Sequence, residues 1–260
     1  MSLIICNLGL CGDALSGLPA IRAMADKLLS HNEKLYVAHT NPEVLKLSPH
    51  QAAFISINEI QNLGAVENLD STRIDVMSAS KSWSAGISSL HMAQAHFKYL
   101  GLKVPSMDEL DESLEFEKLP VKSFDFIISP YSRSDHLNNK VWPYERWAVI
   151  INWLQEKGYK DIAVLRGNIK EEPAVFKDVT YIDEQPLAVV CAYLANVKKG
   201  LLSCDNGISH MARILKIPHF LLYPECLPPQ WVANPRAITL RGEPLYVMPE
   251  IVAAKIEQLF

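Results

Sequence analysis

Short β-rich apolar runs alternate with longer segments of helical periodicity from one end of the chain to the other, and this alternation constrains the fold more than any other feature. Residues 3–7 (LIICN), 34–39, 53–57 and 74–78 read as strands, because short apolar runs of this length suit strands covered on both faces. Between them, residues 13–29 place Leu15, Leu18, Ile21, Ala25 and Leu28 at close to 3.6-residue spacing, and residues 86–99 show a similar pattern. Strand, helix, strand in this order implies a parallel sheet.

Residues 106–122 break the alternation. Asp108, Glu109, Asp111, Glu112, Glu115 and Glu117 form an acidic, core-poor stretch flanked by Pro105 and Pro120, which reads as a linker and otherwise as a solvated face. Alternation then resumes, with strands expected at 124–129, 162–165, 179–182, 200–203 and 219–223. Helices are expected at 144–157, 187–197, 208–215 and 249–259. The expected fold class is α/β, two Rossmann-like domains facing across a cleft, divided as 1–120 and 121–260.

Composition narrows the function classes. With 49% hydrophobic and 21% charged residues, the 260-residue chain has material for a core and too little charge for disorder. A net charge of −4 lacks the basic field that nonspecific nucleic-acid binding needs, so no nucleic-acid partner is expected. The longest uncharged apolar run, 187–195, is far short of the roughly 20 residues of a spanning helix. Asp13 interrupts the apolar N-terminus and no basic residue precedes Arg22, which argues against a secretory signal and for a cytoplasmic protein. The five cysteines are odd in number and form no CxxC, so they are expected to be reduced, with no disulfide framework and no metal site.

Three segments could carry chemistry. Gly9 and Gly12 lie in the loop after the first strand, where backbone can approach a ligand closely. They lack the dinucleotide G-x-G-x-x-G order, and Asp13 would repel a pyrophosphate. Asp13 itself has two readings, a helix N-cap or a catalytic base. The second segment, Ser203 to His210, joins a strand to a helix start, where exposed N–H groups and the positive dipole end cradle phosphate. The competing reading makes Asp205 or Asn206 a cap and packs His210 on the sheet. The third is Lys140 before Trp142 and Pro143, either a solvated loop lysine or, in a cleft, a counter-charge for a diphosphate.

Together, GLCGDALSGLPAIRAM (9–24), KVWPYERW (140–147) and CDNGISHMARILKIPHFLLY (204–223) resemble glycosyltransferase family 9, the lipopolysaccharide heptosyltransferases and their relatives. The resemblance covers most of the chain and implies the GT-B fold, with a shortened N-terminal domain on the acceptor side and a C-terminal domain that binds the nucleotide sugar. It implies Asp13 as general base, Lys140 on the donor diphosphate, and Asp205, Asn206, Gly207 and His210 around the nucleotide sugar. Relatives often carry Thr at the position of Asn206. They also place small hydroxyl residues before the lysine, for which Ser132 and Arg133 are the candidates here, and an acid for the ribose after the 162–165 strand, for which no single residue stands out.

The reaction so implied is inverting, metal-independent transfer of a sugar, with ADP-heptose as donor, to a cell-envelope glycan or glycolipid, without a cofactor. Peripheral contact with the inner membrane face stays open. Two rivals remain: a sugar-nucleotide-binding module or partner subunit without catalysis, and a nicotinamide-dependent oxidoreductase, the latter weakened by the missing dinucleotide fingerprint. His91 and His96 read as helix-face residues, and Trp83, Trp142, Trp147 and Trp153 as core or cleft-lining aromatics.

Overall fold

A computed structural model describes residues 2–7, 11–31, 34–39, 42–47, 53–56, 72–77, 90–110, 113–132, 141–167, 176–223, 237–242 and 247–260. The chain divides into two compact units, Met1–Glu115 and Phe116–Phe260. Within the first unit, strands β1 (Ser2–Asn7), β2 (Lys34–His39), β3 (Ala53–Ser56) and β4 (Thr72–Met77) form a parallel sheet in the order β3-β2-β1-β4. Helix α1 (Cys11–Leu29) follows β1 and buries Leu15, Leu18, Ile21 and Leu28, the stripe its periodicity marks.

A short 3₁₀ helix (Pro42–Leu47) and helix α2 (Met92–Tyr99) complete the unit, with α2 packed on α1. The helix expected from residue 86 is seen from Met92, and residues 78–89 lie outside those described. His91 is the N-cap of α2 rather than a face residue: its Nδ1 accepts from the Ala93 N–H at 3.2 Å, while the Gln94 side chain accepts from the His91 N–H. The middle of the acidic stretch is tied down as well. Arg22, buried in α1, donates to Ser113 Oγ at 2.8 Å and to its carbonyl, and the Glu115 N–H bonds to Leu47 O at 2.8 Å.

The second unit carries a six-stranded parallel sheet. Its strands are β5 (Phe126–Ser129), β6 (Ile162–Gly167), β7 (Thr180–Asp183), β8 (Gly200–Cys204), β9 (His219–Tyr223) and β10 (Ile238–Arg241), in the order β10-β9-β8-β5-β6-β7. Helices α3 (Tyr144–Glu156), α4 (Leu187–Ala195), α5 (Gly207–Ile214) and α6 (Pro249–Glu257) connect or close it. Alternate strand residues point to opposite faces. Phe126, Ile128, Val164, Leu202, Phe220 and Leu222 pack on one face against Trp147, Ile150 and Leu154 of α3 and Val252 and Ile256 of α6. On the neighbouring strands, α5 packs on β8 and β9.

Trp142 and Trp147 are fully buried and meet edge to face at 5.2 Å, so both belong to the core. The Trp142 indole donates to Val247 O at 2.9 Å and Arg146 donates to the same oxygen at 2.9 Å, pinning the start of α3 to the chain entering α6. Pro143 caps α3 from outside the helix, its carbonyl accepting from the Arg146 and Trp147 N–H groups.

One glycine in this sheet is obligatory. A Cβ on Gly200 would lie 2.6 Å from the Pro218 carbonyl oxygen, and that carbonyl is held in place by the Leu201 N–H at 3.0 Å. Gly200→Ala should therefore destabilise the second unit by about 1–3 kcal/mol through overpacking. Thermal unfolding of the variant checks this, and a midpoint equal to that of the wild type would contradict it.

Candidate functional site

In open parallel sheets, ligands bind beyond the carboxyl ends of the strands where the strand order reverses. The second unit reverses between β5 and β8: the chain runs β5, β6, β7 toward one edge and β8, β9, β10 toward the other. Ser129, Tyr131 and Ser132 end or follow β5, and Cys204, Asp205 and Asn206 lead from β8 into α5. The first unit reverses between β1 and β4, and α1 follows β1 there.

Asn206 organises the β8–α5 junction. It sits in extended conformation as the N-cap of α5, its Oδ1 accepting from the Ser209 N–H at 3.0 Å. Ser209 Oγ closes the reciprocal bond with the Asn206 N–H at 3.4 Å and donates to Asn206 O at 2.7 Å. The Asn206 carboxamide nitrogen donates across the reversal, to Tyr131 O at 2.8 Å and Ser129 Oγ at 3.0 Å. Capping thus engages the N–H groups of Asn206 and Ser209, and those of Gly207 and Ile208 between them have no partner among the described residues. Two free N–H groups at the positive end of a helix form a cradle for an anion.

Comparison with known proteins decides what kind of protein carries this cradle. The sequence model of glycosyltransferase family 9 (heptosyltransferase) matches residues 77–259. The chain belongs to glycosyltransferase family 9. No curated protein sequence matches it significantly. Among solved structures, a family 9 glycosyl transferase from Veillonella parvula is similar with a TM-score of 0.75 at 12% identity, covering 99% of this chain and 96% of that one. ADP-heptose lipopolysaccharide heptosyltransferase II of E. coli gives 0.70 at 15% identity, with 100% and 98% covered. E. coli heptosyltransferase WaaC, solved with ADP, gives 0.65 at 18% identity over 100% of both chains. These likenesses establish the GT-B fold expected from the sequence.

Within this family 9 fold, the expected site residues fall into three groups. Asp205, Asn206, Gly207 and His210 lie together at the β8–α5 junction, Asp205 and His210 both buried and Gly207 opening the helix. Ser132, half-buried, follows the Tyr131 carbonyl that Asn206 holds. Asp13 lies in the other unit as the third residue of α1, so the N-cap reading fails and the carboxylate sits within the first turn, near the positive end of the helix. Gly12, buried, immediately precedes it. Gly9, Arg133 and Lys140 lie outside the described residues. The reading of Asn206 as a cap holds, and it coexists with a cradle instead of competing with one.

Ser129 and the Tyr131 carbonyl were absent from the sequence-derived site, and both are partners of Asn206. The capping box itself has a sequence signal, Asn206 followed three residues later by Ser209. The cross-strand partners have none, because they depend on Ser129 standing opposite Ser203 in the β5–β8 register.

Beneath α5 lies a buried polar pair, with Ser203 Oγ 2.7 Å from His219 Nε2. His219 Nδ1 has no partner among the described residues. Burial, and secondarily the proximity of His210, lowers the His219 pKa from 6.5 to about 3, while burial lowers that of His96 in α2 to about 4. Both imidazoles are neutral when folded, whereas the unfolded chain takes up their protons below pH 6.5. Their stabilising contribution is complete above pH 6.5 and declines as pH falls, by up to about 1.4 kcal/mol per pH unit for each histidine. Melts at pH 7 and 5 should show a lower midpoint at pH 5, and His219→Asn should flatten that dependence in the second unit. A pH dependence untouched by the substitution would contradict the assignment.

Proposed function

We propose that this family 9 glycosyltransferase moves a sugar, heptose from ADP-heptose, onto a hydroxyl of a cell-envelope glycan or glycolipid. The observation that carries the reading is the cradle at the β8–α5 junction, whose Gly207 and Ile208 N–H groups stand unpartnered at the strand reversal among the described residues. A similar structure, WaaC, was solved with ADP, which supports a nucleoside diphosphate as a ligand of this fold.

The chemistry is one displacement. The acceptor oxygen forms a bond to the anomeric carbon as the bond from that carbon to the diphosphate oxygen breaks, and the electron pair leaves with ADP. Direct attack from the opposite face inverts the anomeric centre. Asp13 in the first unit takes the acceptor proton, a role that suits a half-buried carboxylate in a first helical turn. In the second unit, Lys140 and the N–H groups of Gly207 and Ile208 stabilise the charge developing on the diphosphate. Trp142 lends this support, since its buried, hydrogen-bonded indole anchors the chain two residues after Lys140. The first unit serves the acceptor and the second the nucleotide sugar. The reaction belongs in the cytoplasm, at the inner membrane face when the acceptor is a glycolipid; among the described residues no helix is long and apolar enough to cross a membrane.

Asp13→Asn should lower kcat by about 10²–10⁴-fold while ADP affinity stays within about threefold of the wild type. Transfer of label from ADP-heptose to an envelope extract and a calorimetric ADP titration measure the two quantities; undiminished turnover in the variant sinks the general-base assignment. Donor binding without transfer to any acceptor would instead favour a non-catalytic binding module. Because Lys140 and helix N–H groups carry the leaving-group charge in this reading, transfer should survive exhaustive chelation. Activity that disappears with chelator and returns with a divalent or iron salt would contradict it.

A further inference from the structure

Asn206 is the residue through which the two sides of the strand reversal are joined. Its carboxamide has two hydrogens, and the two shortest contacts of Nδ2 are Tyr131 O at 2.8 Å and Ser129 Oγ at 3.0 Å. Longer contacts to Ser129 O at 3.4 Å and Cys204 Sγ at 3.6 Å surround the same nitrogen. Its Oδ1 is engaged by the Ser209 N–H. Phosphate oxygens only accept hydrogen bonds, so this side chain could bind a diphosphate only by releasing Tyr131 or Ser129. Its work lies elsewhere. One end caps α5 and so decides which N–H groups remain available, while the other end holds the backbone leaving β5 immediately before Ser132.

We propose that Asn206 is a positioning residue for the donor: it straps the 129–132 segment to the N-terminus of α5 and so fixes the spacing between that segment and the N–H groups of Gly207 and Ile208. The proposal rests on the donor reading above. Preorganised donors lose less on binding than donors that must first be ordered, so a cut strap should appear as weaker donor binding rather than a changed reaction.

Thr and Ala separate the two ends of the residue. Asn206→Thr keeps a capping oxygen for Ser209 but has no carboxamide to reach Tyr131, whereas Asn206→Ala loses both functions. If capping were the whole role, Thr would restore wild-type behaviour and only Ala would lose affinity. With a strap, both variants should bind ADP about tenfold more weakly by calorimetry, the scale of one lost hydrogen bond. Donor KM should rise by a similar factor, with acceptor KM unchanged and kcat reduced less.

Backbone hydrogen exchange over residues 129–132, measured without nucleotide, should be faster in Asn206→Thr than in the wild type. Wild-type ADP affinity in that variant, or wild-type exchange over 129–132, would overturn the proposal. Asn206→Ser, another capping residue, takes its place if the branched side chain prevents folding. The two levels of inference fail differently. A wild-type chain that binds no ADP defeats the donor reading and this proposal with it, whereas equal ADP binding by wild type and variant defeats the strap alone.

Discussion

The second unit depends on a parallel sheet whose two directions of growth part between β5 and β8. Strands in such a sheet are covered on both faces, so their middles are restricted to apolar residues: Phe126, Ile127 and Ile128 on β5 and Leu201 and Leu202 on β8 are all essentially inaccessible. Polar chemistry is displaced to the carboxyl ends, where Ser129 and the Cys204–Asp205–Asn206 turn stand beside one another. At a reversal no crossover helix passes directly from one of these strand ends to its neighbour. Something else must satisfy the polar groups there, and the Asn206 carboxamide does so by donating to the backbone carbonyl of Tyr131 and to the side-chain hydroxyl of Ser129. Cradle and core are therefore consequences of the same topology.

Polar groups do enter the layer beneath α5, and there the energetics are less forgiving. Ser203 and His219 satisfy one another at 2.7 Å, yet one imidazole nitrogen remains without a partner among the described residues. An unsatisfied buried polar atom costs about 1–3 kcal/mol, and an apolar residue in place of His219 alone would pass that cost to Ser203 Oγ. Protonation would worsen the imbalance by placing a charge in the apolar layer beside His210, which is why burial holds His219 neutral so far below its ordinary range. His210 on α5 thus rests over a floor that carries no charge at neutral pH.

Much of this organisation was legible in the sequence, to different depths. Continuous apolar runs located nine of the strands because burial on both faces leaves a signature that needs no knowledge of partners. The last strand, Ile238–Arg241, escaped because four residues ending in a charged one form too short a pattern to separate from loop. The 3₁₀ helix at Pro42–Leu47 is too short to establish a periodicity. His91 looked like a face residue because a capping imidazole has the same spacing to its neighbours as one that packs. At the site, contiguous residues such as Asp205 to His210 were legible as a unit. The partners of Asn206 were not, since 75 residues separate it from Tyr131 and only the register brings them together.

The residues of the proposed donor site also sort by what their atoms offer. A diphosphate presents acceptors only, so it calls for the Gly207 and Ile208 N–H groups and, in the proposed reading, for Lys140. The carboxylate of Asp205 offers acceptors only and, buried beside that cradle, would oppose a phosphate placed against it. Sugar hydroxyls both donate and accept, and they are the partners a carboxylate can hold without that conflict. In the proposed reading, Asp205 therefore suits the transferred sugar better than its leaving group, and Asn206 stands at the boundary between the two roles. A residue at that boundary gains nothing by binding either group itself. In that reading its contribution is to keep the acceptor on one side and the donors on the other at a spacing that one nucleotide sugar can bridge.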